Sequence, residues 1–179
     1  MGLLLPLLGG LGYWRYYQWR EHRFDAVIVA AARRYGVDPA LVKAVVWRES
    51  RFNPDAHGRK GEIGLMQIRA AAAKEWAQAE RIVTLSNHQL ADPTTNALVG
   101  TWYIGKLLRR YQKADQPVTY ALADYNAGRS NVLRWNKGTA ETNGAAFLQQ
   151  MDFPGTRDHV RSVISRYQYY GSFFPPKEP

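Results

Sequence analysis

The chain has no cysteine. That excludes disulfides, thiolate metal sites, a cysteine nucleophile and a lipid anchor on an N-terminal cysteine. Charge is sparse as well: 22% of the 179 residues are charged against 46% apolar, a balance that disordered chains do not have. Alternating apolar and polar runs are missing, so no strand is expected. The four histidines, His22, His57, His88 and His159, have no metal-ligand spacing, so no metal site is expected. The uncharged, leucine-rich run from Gly2 to Trp14 has 13 residues, short of the roughly 20 that a membrane-spanning helix needs.

What is plentiful is positive charge and aromatic side chain. The net charge is +9, with six Trp and eleven Tyr. A cationic surface suits nucleic acid, anionic lipid or a cell wall carrying carboxylates. The basic residues are scattered, however, with Arg33-Arg34, Arg59-Lys60 and Arg109-Arg110 the only adjacent pairs. No zinc-finger or RNP-like motif accompanies them, so nucleic acid is not an expected partner. The run from Gly2 to Trp14 is rich in leucine, and the segment Arg15-Tyr16-Tyr17-Gln18-Trp19-Arg20 after it is like an interfacial belt. Residues 1–20 therefore read as a hydrophobic leader, an export signal or an uncleaved membrane anchor, although a leading basic residue and a small-x-small cleavage site are lacking. The alternative is an apolar tail that is disordered or packs on the domain.

From there the pattern is helical. Phe24, Val27, Ile28, Ala31 and Tyr35 form one stripe that stops at Gly36. Asp38-Pro39 reads as an N-cap with proline at the first helical position, ahead of Leu41, Val42, Val45 and Val46. Asn53-Pro54, Gly58, Gly61 and Gly64 mark a loop. A helix is expected to resume near Leu65 or Met66 and run to Ala79. Asp92-Pro93 opens a long one lined by Ala97, Gly100, Ile104, Leu107 and Tyr111. Pro117 opens a short helix whose small residues, Ala121 and Ala123, predict a central position. Ser130 to Trp135 and a stripe of Val160, Val163, Ile164 and Tyr167 complete the set. The expectation is one all-α domain over residues 21–172, behind the leader and ahead of a tail at 173–179.

Glu49 stands out within this pattern. It lies seven residues after Val42, and four and three after Val45 and Val46, which puts it on their face of the helix. A glycosidase acid is a carboxyl held away from bulk water with a proton to give to a leaving oxygen. The other reading is a glutamate buried against Arg48, Arg51 or another cation for structural reasons.

The segment Glu49-Ser50-Arg51-Phe52-Asn53-Pro54, then Gly64-Leu65-Met66-Gln67-Ile68, then Ala123-Asp124-Tyr125-Asn126-Ala127-Gly128 resembles the ordered motif set of the lytic transglycosylases of the soluble Slt type, members of a lysozyme-like superfamily. Asp92-Pro93-Thr94-Thr95-Asn96 with Gly100 and Tyr103 fits the helix before the last motif. The resemblance runs from about Phe24 to Tyr167. It implies a single lysozyme-like helical domain with a catalytic groove that cuts peptidoglycan glycan strands as a monomer in the bacterial envelope, periplasmic or anchored to a membrane and facing the periplasm. It further implies Glu49 as acid and then base, cleaving between N-acetylmuramic acid and N-acetylglucosamine and leaving a 1,6-anhydro end. Met66, Gln67, Tyr125 and Asn126 are implied glycan contacts, though Met66 reads equally as core filler; Tyr125 is expected to hydrogen-bond Glu49, Glu62 is expected to line the groove, and no metal or cofactor is implied.

The sequence also departs from that family. Gly58 stands where a serine is frequent, Glu62 and Asp124 are unusual in their motifs, and His159 stands in place of a tyrosine. Taken as a residue type, His159 reads as an ordinary hydrogen-bonded histidine. Two alternatives remain open here. One is a hydrolase in the manner of goose-type lysozyme, with Glu62 or Asp124 as base at about 6.5–9.5 Å from the acid. The other is a glycan-binding envelope protein without activity.

Overall fold

A computed structural model describes residues 4–175. Ten α-helices follow in order: α1 (Leu4–His22), α2 (Asp25–Tyr35), α3 (Pro39–Ser50), α4 (Ala70–Ala79), α5 (Asn87–Ala91), α6 (Pro93–Arg110), α7 (Pro117–Ala127), α8 (Arg129–Trp135), α9 (Gly144–Gln150) and α10 (Pro154–Gly171), with a 3₁₀ turn at Gly138–Glu141. Among the described residues there is no strand, only isolated bridges from Ile63 to His57 and to Ile68. The fold is all-α, as expected.

The predicted punctuation sits at the helix ends. Gly36 closes α2 in the left-handed conformation, at φ 64°. Asp38 caps α3, its carboxylate accepting from the Ala40 N–H at 2.8 Å. Asp92 caps α6 through the Thr95 N–H at 2.9 Å. Proline follows each of these two caps, where its missing N–H costs nothing.

Two helices run through the middle. Every residue of α3 from Ala40 to Val46 is buried, and so is every residue of α7 from Thr119 to Asp124. α10 packs across both of them, and α6 packs on α7 and α2. The small side chains of α7 place it centrally, as predicted, and α3 shares that place.

One expected helix start moves. α4 begins at Ala70 rather than at Leu65 or Met66. Gly64 at φ 77° and Gln67 at φ 49° are both left-handed, which a helix cannot accommodate, and Ile63 and Ile68 exchange backbone hydrogen bonds across the turn between them.

α1 crosses the expected boundary between leader and domain without a break. Its C-terminal end is tied to the body: Tyr170 donates to Glu21 at 2.5 Å, and buried Lys43 donates to Asp25 at 2.6 Å beside His22. Burial lowers the Lys43 ammonium from its ordinary value, while Asp25 works against that shift. At the other end Phe174 is buried over Lys43, so the expected tail starts packed. Its last four positions, 176–179, lie outside the described residues, as do residues 1–3 of the leader.

Candidate active site

A cleft of about 310 Å³ opens between α3, the loop before α4, α4 itself, α6 and α7. Its lining includes Glu49, Glu62, Gln67, Arg69, Tyr103, Asp124, Tyr125 and Asn126. Three carboxyls reach it, and their surroundings differ.

Glu49 ends the buried face of α3, its side chain 15% exposed. The helix stops directly after it, because Arg51 and Phe52 are both left-handed, at φ 53° and 62°. Such backbone costs about 1–3 kcal/mol per residue, and burying the Phe52 ring offsets part of it. His159 of α10, itself buried, places Nε2 2.7 Å from Glu49 Oε1. Its other nitrogen, Nδ1, is buried without a hydrogen-bond partner. A hydrogen on Nδ1 would have nothing to accept it, so the ring hydrogen belongs on Nε2 and is donated to Glu49. No described side chain or backbone N–H reaches Glu49 Oε2.

Glu62 is fully engaged. Oε1 accepts from Arg69 Nε at 2.8 Å and Oε2 from the Lys60 N–H at 2.9 Å. Burial acts to raise this carboxyl, but the Lys60 N–H and Arg69 outweigh it and hold Glu62 below the usual carboxylate range. Its position explains Gly58: a Cβ there would lie 2.8 Å from the Glu62 Cβ and run into Oε2. The carboxylate of Glu62 occupies the space that a side chain at 58 would take.

Asp124 is engaged too. Buried at 2% exposure, its Oδ2 accepts from Arg110 at 2.6 Å and from the Tyr111 hydroxyl at 2.7 Å. Burial and that bond together push Tyr111 far above the usual phenol range, which keeps its donor in place.

The turn carrying Gly64-Leu65-Met66-Gln67 is locked by Asn96, which is fully buried. Asn96 donates to the Ile63 and Leu90 carbonyls at 2.9 Å each and accepts from the Met66 N–H at 2.8 Å. A Cβ on Gly64 would meet Asn96 at 2.5 Å. Gln67 uses its amide nitrogen inside the turn, on the Ala56 and Gly64 carbonyls at 3.0 Å each, and offers Oε1 to the cleft. Asn126 accepts from Thr156 at 2.8 Å and keeps its amide N–H groups to offer.

Two residues have other places than the sequence reading gave them. Met66 is fully buried against Gly100, where a Cβ would lie 2.8 Å from the Met66 Cβ, and its side chain is core rather than cleft. Tyr125 does not bond Glu49. Its hydroxyl donates to the Met66 carbonyl at 2.7 Å, and its ring packs on Tyr103 with centroids 5.6 Å apart. Burial first, then the charge of Glu49, raises the Tyr125 hydroxyl well above its ordinary value. The partner of Glu49 is instead His159, 110 residues away. Nothing local in the sequence marks that pairing, nor the Arg69 clamp on Glu62.

The family model for the transglycosylase SLT domain matches residues 26–148. The soluble lytic murein transglycosylase of Escherichia coli K12 is 30% identical over 163 residues, covering 88% of this chain and 25% of that protein. The membrane-bound lytic murein transglycosylase C of Shigella sonnei is 36% identical over 121 residues, covering 64% of this chain and 34% of that one. The chain thus spans about a quarter to a third of the length of these relatives. Among solved structures, an inactive variant of the lytic transglycosylase Slt from Pseudomonas aeruginosa superposes with a TM-score of 0.77 at 28% identity, over 84% of this chain and 24% of that one. The 70-kDa soluble lytic transglycosylase in complex with bulgecin A gives 0.79 at 26% identity, over 93% and 27%.

Proposed function

The chain belongs to the transglycosylase SLT domain family, and from that membership we propose that it is a lytic transglycosylase of bacterial peptidoglycan with Glu49 as its acid and base. The relatives named as murein transglycosylases supply the substrate class. One observation favours Glu49 over its neighbours: of the three carboxyls in the cleft, it alone is not paired with an arginine. Glu62 is held by Arg69 and Asp124 by Arg110, whereas the partner of Glu49 is His159.

In the first half of the reaction Glu49 Oε2 gives its proton to the oxygen joining N-acetylmuramic acid to N-acetylglucosamine, and the C1–O bond breaks. The substrate's own N-acetyl carbonyl steadies the developing cation, so no second carboxylate is required; this is the substrate-assisted exception among glycoside-cleaving enzymes. In the second half the same oxygen takes the proton of the muramic acid C6 hydroxyl as that hydroxyl closes on C1. His159 holds Oε1 through both halves with one tautomer, which leaves Oε2 facing the sugar. Gln67 Oε1 and the Asn126 amide suit the acetamido groups of the strand, and the rings of Tyr103 and Tyr125, which line the cleft, suit its sugars. A hydrolytic outcome would need a second base to activate water, and both candidates for that role are paired with an arginine.

The same reading puts the enzyme in the envelope, with α1 lying against a membrane. No helix among the described residues is long and apolar enough to cross one. Yet Tyr13, Trp14, Tyr16 and Trp19 are each more than half exposed on α1, as rings at a bilayer interface are.

Mass spectrometry of material released from purified sacculi tests the chemistry. The expected products end in anhydro sugar, lighter by one water than hydrolytic ones, and Glu49→Gln releases almost none while still binding sacculi. Products with free reducing ends, or near-wild-type release by a folded Glu49→Gln protein, overturn the reading.

A further inference from the structure

Trp47 stands two residues before Glu49 on α3, about 200° around the helix, so it points away from the cleft. Two guanidinium groups stack on its ring: Arg51 at 3.5 Å and Arg166 of α10 at 4.1 Å from the centroid. Arg20 of α1 leans in from the third side, its guanidinium 3.5 Å from the Ser50 carbonyl. With Tyr17 these groups line a cavity of about 480 Å³ that shares no residue with the catalytic cleft. Arg161 lines the cavity adjoining it on the Arg166 side.

This is an unusual concentration of one charge. The cavity's single carboxylate is Glu21, which already accepts from Tyr170 at 2.5 Å and lies 3.9 Å from Arg166. Among the described residues, none of Arg20, Arg48, Arg51 and Arg161 is paired with a carboxylate. Burial, then Arg166 and Arg48, lower Arg51 from its ordinary value, the effect of like charges crowding one another. The crowding is arranged rather than scattered. A guanidinium held over a ring spends none of its N–H groups on a hydrogen bond there, which leaves its fork to grip a phosphate or carboxylate through paired hydrogen bonds.

We propose that the Trp47 cavity, walled by Arg20, Arg51 and Arg166, binds the phosphate of an anionic glycerophospholipid at the membrane face. Position selects lipid among anions. Tyr17 and Arg20 belong to α1, and the helix leads from them to the exposed rings of Trp14 and Tyr13. Rings at headgroup level and a cationic pocket at the helix root are the two halves of an interfacial docking surface. The pocket would fix which side of the domain meets the bilayer. It extends the membrane placement above and is independent of the chemistry at Glu49.

Sedimentation of the full chain with vesicles tests it, using phosphatidylcholine alone and phosphatidylcholine with phosphatidylglycerol. Wild type is expected to prefer the anionic vesicles. Arg51→Asn, whose side chain tolerates the left-handed backbone at that position, lowers partitioning into them about fivefold, and adding Arg20→Gln lowers it about fivefold again. Lys113→Gln, the same charge change elsewhere, shifts it less than twofold. Binding to phosphatidylcholine alone, and release of glycan from sacculi, stay unchanged in all of them. Arg51→Lys, keeping charge without the fork, serves if the asparagine variant does not fold, and is expected to retain only part of the preference. Equal loss in the Lys113 and Arg51 variants means that net charge alone acts, and overturns the site. So does unchanged partitioning of the double variant. Weaker sacculus binding with vesicle binding intact assigns the cavity to wall carboxylates instead. Displacement by inorganic phosphate in a wild type that shows no vesicle preference assigns it to free phosphate. If wild type cuts no glycan but the vesicle results hold, the catalytic reading alone fails.

Discussion

Glu49 and Glu62 face the same cleft from different walls, and they are held in opposite ways. Glu62 sits on a loop with both oxygens bonded, its charge fixed by Arg69 and a backbone N–H. Glu49 sits at the end of the most buried helix, with one oxygen anchored by His159 and the other left alone. The loop carboxylate is satisfied and static; the helix carboxyl is positioned and unspent. A proton carrier needs an oxygen with no other duty, so the wall with the fewer bonds is the one suited to chemistry.

The most severe way to break this contrast is Glu49→Gln. Turnover on sacculi is expected to fall about 10²–10⁴-fold, with the thermal midpoint close to wild type, measured by product release and circular dichroism. The next is to cut the anchor. His159→Phe keeps the ring volume and removes the donor, so kcat falls about 10- to 100-fold with little change in KM, the loss expected when a reacting group is let go by about an ångström. His159→Gln, which still offers an N–H, should recover part of it. Nitrogen NMR of labelled histidine reads the same point without activity: the Nε2–H tautomer of His159 is expected, and an Nδ1–H tautomer would break the scheme.

The third tests the loop wall by crowding it. Gly58→Ala drives a methyl group into Glu62 and should destabilise by about 1–3 kcal/mol. Combining it with Glu62→Ala should return much of that loss, and a purely additive pair in denaturant titrations would refute the shared-space account. The fourth concerns acid. Glu62 is held below its ordinary range in the folded protein, so its stabilisation is complete above the unfolded value of about 4.3 and is lost as pH falls through the lower folded value. Glu62→Gln should flatten the stability loss below about pH 4 and leave the anhydro product unchanged.

The smallest effect is expected from the leader. We propose that residues 1–19 are separable from the domain. A chain starting at Arg20 keeps Glu21 for Tyr170 and His22 beside Lys43, and should stay helical and active on isolated sacculi. Misfolding of that chain would mean that the leader packs on the domain.

Much of this was legible along the chain because its causes are local. Asp38-Pro39, Asp92-Pro93 and Gly36 act within one helical turn, and the helices begin or end where they stand. Glu49 was legible for a similar reason, since Val42, Val45 and Val46 report the face it shares. The part of the turn from Leu65 to Gln67 reads as helix in the sequence because Leu65 and Met66 have ordinary helical propensity. Its geometry is imposed by Asn96, some 30 residues on. Between a glycan contact and core filler for Met66 the choice is likewise made at a distance, because its burial depends on the space above Gly100.

Residue order alone is enough for the all-α class, the capped helix ends, the motif order that carries the family, and the carboxyl on the core-facing stripe. Each follows from periodicity, capping and residue type within a few positions. The partners of the polar groups in the cleft, by contrast, come from packing between helices. Glu49 gained His159 and not Tyr125, Glu62 took the space left by Gly58, and Arg20, Arg51 and Arg166 converged on Trp47. Those pairings join helices far apart in the chain. A hydrogen bond or a stacked cation is settled by distances of a few tenths of an ångström, which packing sets and local sequence does not.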